Sequence, residues 1–192
     1  MQTSSRVAYP FAVLGVCASV GLLLTLYDLF FHVRFGVLAY AHPVLFGQAW
    51  WVYPNFVGAA LGMYLSAKWL FARRVSTVSM ATLAFSLGWF VCAYAATGLF
   101  VDSPQALLAG LLAAWAIRTA LDRDRLAVVV YAIILAVIGC AMEGAGFVAG
   151  TFAYRDQQVF HVPYWLAGLY MNGSFVVLQI VRRVEVRYGE VT

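Results

Sequence analysis

Residues 102–125 read DSPQALLAGLLAAWAIRTALDRDR, and this stretch decides the fold class of the chain. Ser103 and Pro104 are typical of a helix start, because a proline in the first turn loses no hydrogen bond. The mostly apolar residues that follow rise about 1.5 Å each, so they cross roughly one bilayer core before the charged cluster at 122–125. The segment therefore predicts a transmembrane helix.

One face of this predicted helix is more polar than contact with lipid requires. Its members lie three and four positions apart and therefore share one side of the helix. They are Gln105, Leu108, Leu112, Trp115, Thr119 and Asp122. We expect this face to contact other helices or a ligand.

The composition places the rest of the chain in a membrane as well. Of the 192 residues, 64% are hydrophobic and 10% are charged, and the mean hydropathy is +0.86. Soluble domains are about one quarter charged. We predict one domain over residues 1–192 without a cleavable leader, and no nucleic-acid partner, because the basic residues are scattered over short loops. The three cysteines fall inside predicted spans, which disfavours disulfides and a zinc site.

The apolar segments predict an all-α integral membrane bundle of six transmembrane helices. Their expected bounds are 10–31, 50–71, 78–100, 104–121, 126–150 and 163–181. With six spans, one side carries ten of the twelve basic residues: Arg6, Lys68, Arg73, Arg74, Arg118, Arg123, Arg125, Arg182, Arg183 and Arg187. Such an excess marks the cytoplasmic side, so both termini are expected there. No internal repeat stands out, which weakens a transporter interpretation.

Polar side chains within the spans concentrate in the half away from the cytoplasm. They include Asp28, Gln105, Glu143 and Asn172, with Trp50 and Trp51 as interfacial anchors. A carboxylate is expensive to bury in hydrocarbon, so Glu143 either ties helices together or lines a site for a lipid headgroup or a sterol hydroxyl. Gly146 and Gly150 have the spacing that allows close approach of a neighbouring helix.

Catalysis and metal binding have weaker support in the sequence. His32, His42 and His161 are expected at the outer face without metal-site spacing, so we predict no metal and no cofactor. An alternative function is an intramembrane enzyme that acts on a lipid or isoprenoid with Glu143 or Asp28 as acid or base. A small transporter ranks third.

Several motifs, taken in order, resemble the Insig family, membrane proteins that bind oxysterols in the endoplasmic reticulum. AWWVYP (49–54) begins the second span, and residues 101–125 resemble the family's segment around its fourth span. The sixth span carries Trp165-Leu166, Gly173-Ser174, Gln179 and Arg182. The resemblance covers roughly residues 9–185. The chain departs from the family at TALDRDR (119–125), where the family has TFDRSR, at Pro163, and at Glu143, which has no counterpart.

The resemblance implies a lipid pocket within six helices and no catalysis. It also implies that Gln105 contacts sterol and that Asp122 engages the sterol-sensing partner Scap. A neutral amide at Gln105 can bond a hydroxyl or ester without a charge cost, but it can equally bond water at a helix end. Asp122 can equally form a weak local ion pair with Arg118 or Arg125.

The alanine-, glycine- and arginine-rich composition indicates a bacterial gene, and a bacterial relative would lack both Scap and sterol. We therefore predict an Insig-like lipid-binding sensor of the bacterial cell membrane, with a sterol- or diacylglycerol-type ligand. A Scap-type partner applies only in a eukaryotic context, and the glycine-rich faces would suit a homo-oligomer. The predicted lipid-binding residues are Gln105, Trp115, Trp50, Trp51, Glu143 and Asn172. The sequence leaves open which lipid binds and which helices part to admit it.

Overall fold

The computed structural model describes residues 3–71 and 77–188, with side chains from residue 8 onward. Within these ranges the chain forms six α-helices and two short strands. They are α1 (Thr3–Tyr27), β1 (Leu38–Tyr40), α2 (Val52–Phe71), α3 (Met80–Leu99), α4 (Pro104–Leu121), α5 (Arg125–Val148), β2 (Phe152–Tyr154) and α6 (Trp165–Tyr188). A π-helical turn, Asp28–Val33, continues α1. The all-α prediction is confirmed. Helices α2 to α5 begin and end within two residues of the predicted bounds, whereas α1 begins seven residues earlier and α6 ends seven residues later than predicted. The small sheet was not predicted.

Within the described part of the chain, four helical segments are long and apolar enough to cross a bilayer. They are Ala8–Val33, Met80–Leu99, Pro104–Leu121 and Arg125–Val148. Helices α2 and α6 have similar lengths, 20 and 24 residues, but are not among these four. Arg73, Arg74 and the side chain of Arg6, on which the predicted charge asymmetry also depends, lie outside the described part of the chain.

A serine cap marks the start of α3, and a proline marks the start of α4. The Ser79 side-chain oxygen accepts a hydrogen bond from the backbone N–H of Thr82 at 3.0 Å, which caps α3. Pro104 is the first residue of α4, as predicted, whereas Ser103 occupies the capping position without a side-chain hydrogen bond. The fixed backbone of the proline is therefore the stronger start signal here.

The chain divides into two compact units. The first comprises Met1–Thr25, Trp51–Leu87 and Phe175–Thr192, and the second comprises Leu26–Trp50 and Gly88–Ser174. In the first unit, α1 approaches α2 closely at Gly21, where a Cβ atom would lie 2.6 Å from Val57 Cγ2. In the second unit, the Phe90 and Tyr94 rings meet edge to face at 5.8 Å.

The two strands belong to a segment that occurs twice in the chain. Residues 36–52 read GVLAYAHPVLFGQAWWV, and residues 150–166 read GTFAYRDQQVFHVPYWL. The two segments align without a gap, and five of their seventeen positions are identical. The prediction that the chain has no internal repeat was therefore wrong, because too few positions are identical for the repeat to stand out from the sequence alone.

The backbone of the segment is repeated more closely than its sequence. The strands pair antiparallel with Ala39 opposite Ala153, so the register is symmetric about that pair. Equivalent hydrogen bonds flank the sheet, from the N–H of Ala41 to the carbonyl of Thr151 (3.0 Å) and from the N–H of Arg155 to that of Val37 (2.9 Å). A local two-fold axis therefore passes through the sheet.

Each copy of the segment also contains the same tight turn. The bridges Leu45–Gln48 and Val159–Val162 close the two turns, each around two residues with positive φ. The φ values are +50° and +90° at Phe46 and Gly47, and +48° and +67° at Phe160 and His161. These are type I′ turns, which favour asparagine and glycine. The His161 ring stacks on Phe147 at 4.5 Å, and this contact offsets part of the backbone strain.

The correspondence extends into the flanking helices. The buried positions Val52, Ala60, Tyr64 and Ala67 of α2 correspond to Leu166, Ser174, Leu178 and Val181 of α6, which are also buried. Asp28 lies eight positions before Gly36, and Glu143 lies seven before Gly150. The first copy therefore has one more residue between the acid and the glycine, and the wider π-helical turn accommodates it. Asp28 and Glu143 thus occupy equivalent positions relative to the two copies of the segment.

Candidate functional site

Asp28 lies at the centre of a buried hydrogen-bond network in the second unit. Its Oδ2 atom accepts hydrogen bonds from the Tyr40 hydroxyl at 2.8 Å and from the Gln48 amide at 2.7 Å. Its Oδ1 atom lies 3.4 Å from His32 Nδ1. Burial, followed by the charge and hydrogen bond of Asp28, raises the pKa of Tyr40, so the phenol keeps the proton it donates. Asp28 thus ties the end of α1 to the segment that follows it.

His32 extends this network to α3. Its Nε2 atom lies 2.9 Å from Thr97 Oγ1, and its ring stacks on Tyr94 at 4.6 Å. Asp28, His32 and Thr97 therefore have the connectivity of an acid–base–nucleophile triad. However, all three are buried, and the Thr97 hydroxyl donates to the Tyr94 carbonyl at 2.6 Å. The arrangement holds helices together and exposes no nucleophile.

Glu143 is held in an equivalent way. Its carboxylate accepts hydrogen bonds from the hydroxyls of Tyr170 at 2.9 Å and Tyr154 at 3.3 Å. Tyr154 occupies the position in the second copy of the segment that Tyr40 occupies in the first. In each copy, this tyrosine donates a hydrogen bond to an acid of the preceding helix. Gly139 makes room for this contact, because a Cβ atom there would lie 2.6 Å from the Tyr170 ring.

The predicted close helix approach at Gly146 and Gly150 was wrong. A Cβ atom on Gly146 would meet the ring of Phe152 in β2 at 2.7 Å, so this glycine admits a strand residue. Gly150 has open space around it and a φ of +70°, and it follows the end of α5. The spacing matched a helix-packing motif, but the second glycine lies outside the helix.

Asn172, one of the predicted lipid-binding residues, is fully buried and its hydrogen bonds are satisfied. Its Oδ1 atom accepts from the Trp89 indole at 2.9 Å, and its Nδ2 atom donates to the carbonyls of Leu111 and Gly168, each at 2.9 Å. The side chain therefore joins α3, α4 and α6 within the second unit. This leaves little capacity to bind a ligand.

The predicted inward face of α4 is displaced around the helix. Its buried residues are Leu107, Leu111, Arg118 and Thr119, whereas Gln105 and Leu112 are exposed. Thr119 is therefore packed as expected, whereas Gln105 contacts no neighbouring helix closely enough to be buried, and its contact with a ligand stays a prediction. A helix that is apolar all round gives no hydrophobic stripe, so the few polar residues did not fix its orientation.

The other predicted lipid-binding residues are spread over the chain. Trp50 is exposed, and Trp51 and Trp115 are partly buried. The Trp115 indole nitrogen is buried without a hydrogen-bond partner among the described residues. A role for these residues in lipid binding stays a prediction.

Asp122 ends α4 and is partly buried. Its Oδ1 atom accepts the backbone N–H of Asp124 at 2.8 Å, so the carboxylate shapes the turn into α5. The Arg125 side chain reaches the backbone carbonyl of Asp122 at 3.2 Å. A role for Asp122 in partner binding stays a prediction. Nowhere in residues 3–71 and 77–188 do three histidine, cysteine or acidic side chains gather as a metal site.

Sequence reasoning missed a polar cluster in the first unit, formed by Tyr9, Tyr64, Lys68 and Glu185. Glu185 Oε1 accepts hydrogen bonds from both tyrosine hydroxyls, each at 2.5 Å. Lys68 Nζ donates to the Tyr9 hydroxyl at 2.6 Å and lies 3.4 Å from Glu185 Oε2. The available signal was that Tyr64 and Lys68 lie four positions apart on α2, and that Glu185 is the single acid of α6.

An apolar crevice adjoins this cluster and shares Tyr64 with it. We call it the inner crevice; it lies between α1, α2 and α6 in the first unit. It is lined by Val16, Cys17, Val20, Ala60, Met63, Tyr64, Val177, Ile180 and Val181. Its volume is about 20 Å³, close to that of a single water molecule. The Tyr64 hydroxyl and the Cys17 thiol are the polar groups among these side chains.

A larger cleft lies beside the sheet in the second unit, and we call it the loop cleft. Its volume is about 550 Å³, and it is lined by Val33, Gly36, Leu38, Ala39, Tyr40, Pro43, Gly47, Ala153, Tyr154 and Arg155. Arg155 donates to Asp102 Oδ1 at 2.9 Å and lies 3.5 Å from Asp156 Oδ2. The hydrogen bond to Asp102 raises the pKa of Arg155, so this cation keeps its charge.

The comparisons with known proteins agree with this fold. Residues 78–182, more than half of the chain, match the model of a family described as a protein of unknown function, DUF2878. Two crystal structures are similar over 97% of both chains with a TM-score of 0.72. One is the Insig homologue MvINS of Mycobacterium vanbaalenii, at 24% identity, and the other is a cross-linked MvINS trimer, at 25%. Comparison with curated proteins gives no significant match. The Insig resemblance and the membrane bundle are confirmed.

Proposed function

We propose that this chain, which belongs to the DUF2878 family and is an Insig-like integral membrane protein, binds a membrane lipid in the inner crevice. The observation that carries the proposal is the character of the crevice walls. Seven of the nine lining side chains are hydrocarbon or thioether, and the crevice adjoins a partly buried polar cluster. Apolar walls next to a few placed polar groups are typical of lipid and small-molecule sites.

The polar cluster favours a lipid with a small uncharged head. Lys68 is already paired with Glu185, so a phosphate or ammonium would find no unpaired charge of opposite sign there. The Tyr64 hydroxyl lines the crevice and donates its hydrogen to Glu185, so its oxygen can accept a hydrogen bond from a lipid hydroxyl. A sterol- or diacylglycerol-type molecule has this chemistry.

The crevice must widen to admit such a lipid, since 20 Å³ does not hold an acyl chain. Its walls meet through aliphatic side chains, which separate without loss of a hydrogen bond. The cluster of Tyr9, Tyr64, Lys68 and Glu185 ties α1, α2 and α6 at one end of the crevice. We therefore place the opening motion in these three helices, with the cluster as the fixed end.

Filling the crevice tests the proposal. Ala60 is buried in the crevice wall, and its neighbour Ala59 is exposed on the same helix. We expect diacylglycerol to raise the melting temperature of the wild-type protein and of Ala59→Leu, and to leave that of Ala60→Leu unchanged. The measurement is thermal unfolding in detergent with and without the lipid. Equal shifts in all three proteins would place any lipid outside the crevice.

A Gln105→Ala variant tests the site that the Insig resemblance implies. Gln105 is exposed and does not line the crevice, so we expect it to keep the full lipid-induced shift. Loss of the shift in Gln105→Ala, with retention in Ala60→Leu, would favour the resemblance-based site over the crevice.

We assign no catalytic step to this protein. Asp28 and Glu143, the acids of the enzymatic alternative, each accept a hydrogen bond from a tyrosine of the repeated segment and serve as ties. We place the protein in a bacterial cell membrane, in keeping with the mycobacterial source of MvINS. The cross-linked MvINS trimer supports a homo-oligomer. Scap binding at Asp122 would apply in a eukaryotic setting alone.

A further inference from the structure

We infer that the loop cleft is a second lipid site, and that it takes the head of a zwitterionic amine phospholipid from the leaflet opposite the cytoplasm. The site lies in the second unit and involves none of the residues that line the inner crevice. It therefore goes beyond the proposed function, and either site can fail its test without the other.

The position of the cleft suits a headgroup. The lining residues from Val33 to Gly47 follow directly on the end of the α1 span, so they lie where hydrocarbon gives way to headgroups. Its volume of about 550 Å³ falls within the range of small-molecule sites. Gly36 and Gly47 keep two sides of the cleft free of side chains.

The surface next to the cleft suits acyl chains. Residues 35–50 contain no acidic or basic residue other than His42. The large apolar side chains exposed in this stretch are Phe35, Val44, Leu45, Phe46 and Trp50. A loop of this kind is unfavourable in water and favourable among lipid chains.

The backbone holds this surface in place. Phe46 has a φ of +50°, a strained conformation for an aromatic residue, and 76% of its surface is exposed. Gly47 follows with a φ of +90°, and a Cβ atom there would lie 2.8 Å from Val33 Cγ1. The turn therefore presents Phe46 outward at the edge of a preformed cleft.

The charges around the cleft match a zwitterionic head. Arg155 is flanked by Asp102 and Asp156, with side chains 41%, 88% and 31% exposed. Exposed ion pairs of this kind are weak and exchange readily. A phosphate can replace a carboxylate on the Arg155 guanidinium, and the released Asp102 can then bind the amine of the same head. Arg155, Asp102 and Asp156 together carry one net negative charge, which disfavours the binding of an anionic phospholipid.

Native mass spectrometry of the protein with phosphatidylethanolamine or phosphatidylglycerol tests this assignment. We expect the wild-type protein to retain phosphatidylethanolamine about tenfold more strongly than phosphatidylglycerol. Arg155→Ala should lose that retention, and the matched variant of the other outer arginine, Arg34→Ala, should keep it. Arg34 lies over the Phe30 ring and does not line the cleft. Equal retention of the two lipids by the wild-type protein would overturn the inference.

Two further measurements test the role of Asp102 and distinguish a bound lipid from a free headgroup. Asp102→Asn keeps Arg155 and removes the carboxylate proposed to bind the amine, so it should retain both lipids equally. A preference for phosphatidylethanolamine that persists in this variant would contradict the charge argument. Soluble glycerophosphoethanolamine has the same head without acyl chains, so by itself it should bind much more weakly than phosphatidylethanolamine. Equally strong binding would show that the free headgroup, and not a lipid, is the ligand.

Discussion

At the residue scale, the intramembrane polar groups act mainly as ties between helices. Glu143 and Asn172 were both predicted to bind lipid, yet each is held by hydrogen bonds from protein groups. The sequence identified the acids correctly, because a carboxylate in a span is rarely tolerated without a partner. It could not identify Tyr40 and Tyr154 as the partners, since those tyrosines come from strands that the apolar pattern did not reveal.

Removal of the Asn172 side chain should destabilise the protein. Asn172→Ala leaves the Trp89 indole and the Leu111 carbonyl without the bonds that they make at 2.9 Å. We expect a loss of about 1–3 kcal/mol in the free energy of unfolding, the cost of unsatisfied buried polar groups. Reversible unfolding in detergent measures it. Asn55→Ala on α2 is the control, because Asn55 is exposed. Equal losses of stability in the two variants would show that the Asn172 hydrogen bonds do not stabilise the protein.

At the scale of elements, the helices could be predicted and the connecting segments could not. The start of α4 at residue 104 was predicted correctly from Pro104 and from the length of the apolar segment that follows, because both signals are local in the sequence. The orientation of α4 was mispredicted at Gln105 because lipid and protein interior are both apolar. The sheet was missed because two strands of three residues are too short to show a period. The type I′ turn at Phe160 and His161 lacks the asparagine and glycine that usually mark it.

Gly36 and Gly47, two glycines of the first copy of the repeated segment, have different surroundings, so replacing each by alanine should cost a different amount of stability. Gly47→Ala meets both a positive φ and Val33, whereas Gly36→Ala meets only a positive φ of +66°. We expect losses of about 1–2 kcal/mol at Gly36, from the left-handed backbone alone, and a larger loss at Gly47. Gly58→Ala in α2 has open space and should stabilise the helix by up to about 1 kcal/mol. Melting temperatures in the reverse order would show that the turn does not adopt this backbone.

At the scale of the whole molecule, one helix–strand–helix pattern occurs twice in an Insig-like membrane protein. In this repeat, Asp28 is equivalent to Glu143 and Tyr40 is equivalent to Tyr154. Transporters are often built from repeats, so the lack of a repeat no longer counts against a transporter. The two acids are nevertheless engaged by tyrosines, and the lining side chains of the inner crevice are mostly aliphatic. We therefore propose lipid binding in preference to transport.

The most direct test of this conclusion is mass spectrometry of the lipids that remain with the protein through mild purification. We predict one uncharged hydroxylated lipid per chain in the wild-type protein and in Ala59→Leu, and its loss in Ala60→Leu, where the larger side chain fills the crevice. A lipid profile that matches the bulk membrane and is the same in all three proteins would contradict the account.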